Sequence, residues 1–293
     1  MTPAQVMREV RRIETTTRHL VRDIVAGEYS SAFRGRGVEF AEVREYQPGD
    51  DVRTIDWNVT ARLGSAYVKR YLEERELTVG FVVDFSASKL FGSRLRTKGD
   101  LAVEVCAVLA LAAARNNDQV GALFFTDRIE HVVTPRKGRR HVLRILSDLL
   151  SFQPTGRGTN LTAALEQLEA IHRRRSVLFI LSDFLATGYG PALSRLARKH
   201  DVVAVHLVDP RERALPDLGL IVLQDPESGA WRYVDTSSPS IREQFRERVA
   251  AFDVNLDRTV RERGADFIRL HTDQSYAEPL LAFFRRRERM LGR

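Results

Sequence analysis

Apolar positions near the start of the chain recur at alternating spacings of three and four: Val6, Val10, Ile13, Thr17, Leu20 and Ile24. That period places one mostly apolar stripe on a helix ending near Gly27, expected to pack on the protein's own body. Docking into a partner is the other use of such a stripe. From Tyr29 to Arg75 the periodicity breaks up. Gly35-Arg36-Gly37 and Pro48-Gly49-Asp50-Asp51 separate short apolar pieces around Val38 and Tyr67, which predicts a small extended or hairpin-rich module.

From Leu77 onward, apolar runs alternate with longer amphipathic or apolar helical segments, the mark of a parallel sheet covered on both faces. The pattern predicts strands over 78–84, 119–125, 130–133, 176–181, 202–207 and 266–270. Helices are expected over 98–115, 140–150, 161–172, 190–199, 241–263 and 276–290. Within 209–238, apolar runs at 220–224 and 230–234 flank Asp225-Pro226-Glu227-Ser228-Gly229, which reads as a hairpin insertion. The expected architecture is α/β: an open sheet with helices on both faces over 76–293, preceded by an N-terminal helix and module over 1–75.

Composition narrows the class. At 293 residues and 43% apolar, the chain can remove about three quarters of its unfolded surface from water, enough for a large core and a smaller attached unit. The balance of 46 basic and 39 acidic residues gives a formal charge of +7. Basic runs such as Arg136-Lys137-Gly138-Arg139-Arg140 and Arg285-Arg286-Arg287 permit contact with nucleic acid or anionic lipid, but acidic residues are interspersed almost throughout. The single cysteine, Cys106, lies in an apolar run and reads as a small buried thiol, so no internal disulfide forms. The N-terminus lacks the apolar centre of a signal peptide, and the apolar run at 101–114 is too short to span a bilayer and contains Glu104. No membrane span and a cytoplasmic location are expected.

The candidate chemistry sits where strands end. The run Val79-Gly80-Phe81-Val82-Val83 leads straight into Asp84-Phe85-Ser86-Ala87-Ser88, so three oxygen-bearing side chains leave the carboxyl end of a buried strand at alternate positions. Ligands of open α/β sheets bind at that edge. A second loop, Thr155-Gly156-Arg157-Gly158-Thr159-Asn160, offers the Thr159 hydroxyl, and a later strand ends in Leu181-Ser182-Asp183. If the first and fourth strands are neighbours, all three loops converge. Two carboxylates and three hydroxyls make a hard oxygen site that suits Mg²⁺ or Mn²⁺ with an open position, better than Ca²⁺ with its larger ligand set. Taken singly, an Asp at a strand end followed by Ser also serves as a cap or turn former.

The order Asp84-x-Ser86-x-Ser88, Thr159, Asp183 resembles the metal-ion-dependent adhesion site of von Willebrand factor A domains. The stretches Gly35-Arg36-Gly37-Val38-Glu39-Phe40, Arg44-Glu45-Tyr46-Gln47-Pro48-Gly49-Asp50-Asp51, Arg53, Ile55-Asp56-Trp57 and Ala61-Arg62 resemble the opening of the bacterial domain-of-unknown-function family 58. Phe91-Gly92-Ser93 and Ser182-Asp183-Phe184 extend that likeness over about residues 27–190. The resemblance implies a von Willebrand factor A-like fold and a protein acting with a MoxR-type AAA+ ATPase in assembling or remodelling a client protein. It further implies that Ser86, Ser88 and Thr159 touch the ion directly and that Asp84 and Asp183 act partly through water. On their own residues, Asp50, Asp51 and Asp56 alternate with Arg44, Arg53 and Arg62, a spacing able to form an ion-pair network or a pocket for a charged partner segment. Trp57 reads as core or as interface anchor.

Other chemistries lack their residues. The chain has no Gly-x-x-x-x-Gly-Lys-Ser/Thr phosphate loop and no Gly-x-Ser-x-Gly elbow, and its seven histidines show no zinc spacing. A Mg²⁺-dependent hydrolase of phosphoesters and a nucleic-acid-binding protein remain the alternatives to a non-enzymatic adaptor. Against the second, the arginine clusters carry no aromatic-studded platform and suit helix C-termini.

Overall fold

Thr2 accepts from the Gln5 backbone and opens helix α1 (Pro3–Asp23), on which Val6, Val10, Ile13, Thr17 and Val21 are buried. In this computed structural model the described residues are 2–25, 32–33, 39–72, 77–90, 92, 96–224 and 229–291. Gly35 to Val38, Phe91 and Ser93, all named in the family likeness, lie outside them. Contacts divide the chain into two compact units, Phe33–Glu76 and the remainder. The division differs from the expected 1–75 and 76–293, because the apolar stripe of α1 packs within the larger unit. Val21 takes the buried place that the periodicity assigned to Leu20.

In the small unit, β1 (Glu39–Glu45) pairs antiparallel with β2 (Tyr67–Leu72) around the short helix α2 (Trp57–Leu63). That helix was not expected from the turn-rich sequence. Asp56 caps it by accepting from the Asn58 and Val59 amides, and Gly64, at a φ of 80°, ends it.

The larger unit continues with β3 (Thr78–Asp84), α3 (Lys98–Arg115), β4 (Gln119–Phe125), β5 (Ile129–Arg136), α4 (Arg139–Ser151), α5 (Leu161–Ile171), β6 (Val177–Ser182), α6 (Gly190–Lys199) and β7 (Asp201–Val208). It ends with the hairpin β8 (Leu220–Gln224) and β9 (Trp231–Asp235), then α7 (Pro239–Glu262), β10 (Asp266–His271) and α8 (Ala277–Leu291). Six strands form one sheet in the order β10-β7-β6-β3-β4-β5, parallel except for the β4–β5 pair. Leu165, Leu193 and Leu256 of α5, α6 and α7 pack with Val82, Ile180 and Ala204 in one core cluster. Successive side chains alternate across a strand, so Val79, Phe81 and Val83 point away from that cluster, toward the layer where α3 packs with α1 and α4. No helix among the described residues is long and apolar enough to cross a membrane.

The chain order positions the site. From β3 the chain passes through α3 to β4 on one side, then returns through α4 and α5 to β6 on the other. The carboxyl ends of β3 and β6 therefore flank the point where the winding reverses, the crevice in which open α/β sheets bind ligands.

Candidate metal centre at the carboxyl edge

Strand β3 is buried along Val79 to Asp84, and the Asp84 carboxylate, 1% exposed, turns the chain on leaving the sheet. Its Oδ1 accepts from the Ser86 amide at 2.9 Å, an aspartate turn that brings Ser86 and then Ser88 back over the strand end. The Ser86 and Ser88 hydroxyls lie 3.1 Å apart, and Ser88 Oγ donates to Asp183 Oδ2 at 2.7 Å. Across the same crevice Ser182 Oγ donates to Asp84 Oδ2 at 2.6 Å. Because β3 and β6 are neighbours, the condition set by the sequence is met: the Ser86, Ser88 and Asp183 side-chain oxygens form one string, and Asp84 joins it through the Ser86 amide.

Thr159 reaches the same edge on the loop before α5. The Ala87 amide donates to the Arg157 carbonyl at 3.0 Å, and the Asn160 amide to the Thr126 carbonyl at 2.7 Å, fixing the loop beside the β3 turn and the end of β4. Its other anchor is Glu130 of β5, which sequence reasoning missed. Glu130 Oε1 accepts from the amides of Thr155 (3.1 Å) and Gly156 (2.7 Å) and from Thr126 Oγ (2.8 Å), and Oε2 accepts from Thr155 Oγ (2.8 Å). Burial pushes the Glu130 carboxyl up, but these donors outweigh it and hold it below the usual carboxylate range. Gly156 is required here, since a Cβ would stand 2.9 Å from Thr126 Cβ.

Two more charged groups, also missed, complete the site. Lys98, the first residue of α3, is wholly buried and donates from Nζ to Asp183 Oδ2 at 2.9 Å and to Glu212 Oε1 at 2.6 Å. Burial lowers its proton affinity most, but Asp183 and Glu212 together overcome that, so the ammonium is held above its ordinary value and stays charged. The signal in the sequence was a lysine in the first turn of a mostly apolar helix, where the helix dipole disfavours a cation. Glu212 stands in the turn after β7, where its Oε2 accepts from the Asp209 amide at 3.3 Å. Beside Asp183, buried Phe184 adopts a left-handed backbone (φ 56°) that bulky residues rarely take. Its amide donates to Ser182 Oγ at 3.1 Å.

The oxygen set fits a small divalent ion. Adjacent ligands of an octahedral Mg²⁺ stand about 2.9 Å apart, since each bond is roughly 2.0–2.1 Å. The Ser86 and Ser88 hydroxyls, 3.1 Å apart, are spaced for two neighbouring positions around such an ion, and Asp183 Oδ2, 2.7 Å from Ser88 Oγ, stands behind them. Among the described residues no three His, Cys, Asp or Glu side chains group to hold a metal, so an ion here would need hydroxyl ligands as well, which hard-cation chemistry allows.

Among the expected partner-binding residues of the small unit, the acids have partners within it. Arg44 grips Asp50 with two hydrogen bonds of 2.9 and 2.7 Å, and the Gln47 amide adds a third at 2.8 Å. The Arg44 bond, then the Gln47 amide, hold the Asp50 carboxyl below its ordinary value. Asp51 caps the turn Val52–Thr54 through the Arg53 amide, and Asp56 caps α2. Arg53 and Arg62 are exposed, and so is Trp57, at 69%.

The family profile described as Protein of unknown function DUF58 matches residues 42–254. The chain belongs to this family. An uncharacterized protein of Mycobacterium tuberculosis, Rv1480, is 35% identical over 283 residues, 96% of this DUF58 chain and 89% of the relative. Among solved structures, the conserved hypothetical protein BatB from Bacteroides thetaiotaomicron aligns with a TM-score of 0.50 at 13% identity, over 73% of this chain and 99% of that one. The SpRpn10 VWA domain aligns over 71% of this chain and 94% of its own at 12% identity and a TM-score of 0.40. The DUF58 chain has a von Willebrand factor A-like fold.

Proposed function

We propose that this chain is a non-enzymatic adaptor that binds a carboxylate of another protein through a Mg²⁺ or Mn²⁺ ion at the carboxyl edge of its sheet. The observation that carries the reading is the oxygen string Asp84, Ser86, Ser88 and Asp183, assembled across the switch point from two strand ends. Ser86, Ser88 and Thr159 would hold the ion, with Asp84 and Asp183 behind them. An ion held by so few charges remains a Lewis acid with a place for an outside oxygen. Asp84 orients the Ser86 turn and is itself tied to Ser182, and its 1% exposure disfavours service as a nucleophile toward phosphoesters. The Glu130 anchor presents Thr159 by fixing its loop.

The family likeness supports a MoxR-type AAA+ ATPase as partner in remodelling a client protein, in the cytoplasm, where the buried Cys106 thiol needs no disulfide partner. The ATPase supplies the carboxylate at the ion, and exposed Arg53, Trp57 and Arg62 of the small unit are the residues we assign to a further contact with it. A pull-down with the purified chain tests both parts. Recovery of the ATPase that falls with chelator and with Ser86→Ala supports metal bridging, whereas equal recovery in all conditions removes it. Phosphoester turnover that vanishes in Asp84→Ala would replace the adaptor reading with a hydrolase.

A further inference from the structure

Lys98 occupies a place that two costs oppose. It lies at the positive end of the α3 dipole, and its ammonium is removed from water with the side chain 0% exposed. What compensates is a pair of carboxylates on two different loops: Asp183 Oδ2 after β6 and Glu212 Oε1 after β7. Asp183 Oδ2 also takes the Ser88 hydroxyl, so one oxygen serves both the ammonium and the oxygen string of the site. An ammonium has three donors and no lone pair, so it cannot ligate a metal and can only compete with one for negative charge. Glu212 is not a loose surface acid. The Asp209 amide donates to it, and Asp209 is fixed by the Arg211 amide at 2.9 Å and by Thr272 Oγ at 2.8 Å.

We propose that Lys98 is the site's resident counter-ion, competing with the divalent ion for Asp183, and that Glu212 is the second seat that holds the ammonium when the ion claims Asp183. This rests on the metal-dependent reading above and deepens it. The competition keeps the ion's affinity for the free chain low, so the ion is held firmly only once a partner's carboxylate adds its charge. The split between Asp183 and Glu212 sets how low.

The test is calorimetric titration with Mn²⁺ alone, on the full chain, for wild type, Asp84→Ala, Lys98→Met, Glu212→Gln and the double variant. The two single changes should act in opposite directions. Lys98→Met tightens Mn²⁺ binding at least tenfold, and Glu212→Gln weakens it at least threefold by pressing the ammonium onto Asp183. In the Lys98→Met background the Glu212→Gln effect shrinks to less than half. A merely structural lysine would make Lys98→Met bind more weakly, and that result, or no change within twofold, overturns the proposal while leaving the metal reading intact. An undiminished Glu212→Gln effect in the double variant overturns the second-seat role. If Lys98→Met does not fold, Glu212→Gln decides alone, and tighter or unchanged binding sinks the idea. Binding by Lys98→Met but not by wild type would uphold the competition in its strongest form, with the free native chain too weak to hold the ion alone. No binding by any variant would reject both.

Discussion

Replacing Asp183 with alanine removes a 4%-exposed carboxylate that accepts from Ser88 Oγ at 2.7 Å and from Lys98 Nζ at 2.9 Å. Among the described residues the buried ammonium keeps Glu212 alone, whose side chain is 31% exposed. Breaking a buried pair by deleting one partner costs about 3–5 kcal/mol, and the surviving Glu212 contact puts the expected loss near the lower end, about 3 kcal/mol. With an unfolding entropy of about 2.1 cal/mol/K per residue, a chain of this length should melt about 5 °C lower. Asp183→Asn, which keeps an oxygen to accept both donors, should lose about half as much. The sign with pH follows from Lys98, whose folded value is raised. In wild type its contribution is full below the unfolded lysine value and fades only as pH rises through the raised one, so the stability that this lysine lends wild type should be constant from pH 7 to 9. Thermal and urea melts in chelator measure this without contribution from metal. A loss under about 0.5 kcal/mol would mean that Lys98 does not depend on Asp183, and the electrostatic account of the site would fail.

Glu130→Ala should cost about 1–3 kcal/mol and raise hydrogen exchange at the Thr155 and Gly156 amides, because four donors lose one acceptor. Unchanged exchange at those amides would show that the loop is held otherwise. In wild type the anchoring contribution is present above the ordinary glutamate range and disappears as pH falls through the depressed folded value. At the opposite edge of the sheet, burial pushes both His172 and His200 down to about 4. The unfolded chain therefore binds more protons between the ordinary histidine value and 4, and stability falls over that window. His172 alone should account for about 2 kcal/mol by pH 5, with His200 adding in the same direction. Urea melts at pH 7 and pH 5 should show a smaller acid loss in His172→Asn, and an equal loss would assign acid sensitivity elsewhere.

The sheet was legible because its central strands β3, β4, β6 and β7 are apolar on both faces and its helices are capped or interrupted at their ends. Thr97 before Lys98 and the end of the apolar run near Arg115 mark the helix at 98–115 without reference to any partner. The α2 helix was hidden because it is a short segment carrying Val59 and Thr60, with none of its residues buried, so no apolar period announces it. For the site, side-chain type and position at strand ends sufficed to nominate Asp84, Ser86, Ser88, Thr159 and Asp183. What it could not supply were partners fixed by tertiary distance. Lys98 meets Asp183 across 85 residues and Glu212 across 114, and Glu130 meets Gly156 across 26. The acids of the small unit show local roles that alternation with arginine does not reveal. Asp51 and Asp56 looked like recognition residues by alternation with arginine, yet each satisfies the amides of the turn that follows it.

The central claim is that the oxygen string binds a divalent ion, and thermal unfolding with rising Mg²⁺ and Mn²⁺, on wild type and Asp84→Ala, tests it most directly. Each protein is compared with itself in chelator, since Asp84→Ala also loses the bonds to Ser86 and Ser182. At about a hundred times Kd the ion should add roughly 2.7 kcal/mol, about 4–5 °C for this chain, in wild type and nothing in the variant. Because Lys98 keeps the free chain's affinity low, the titration runs well beyond millimolar metal, and equal shifts in both proteins, or none in either, would contradict the account.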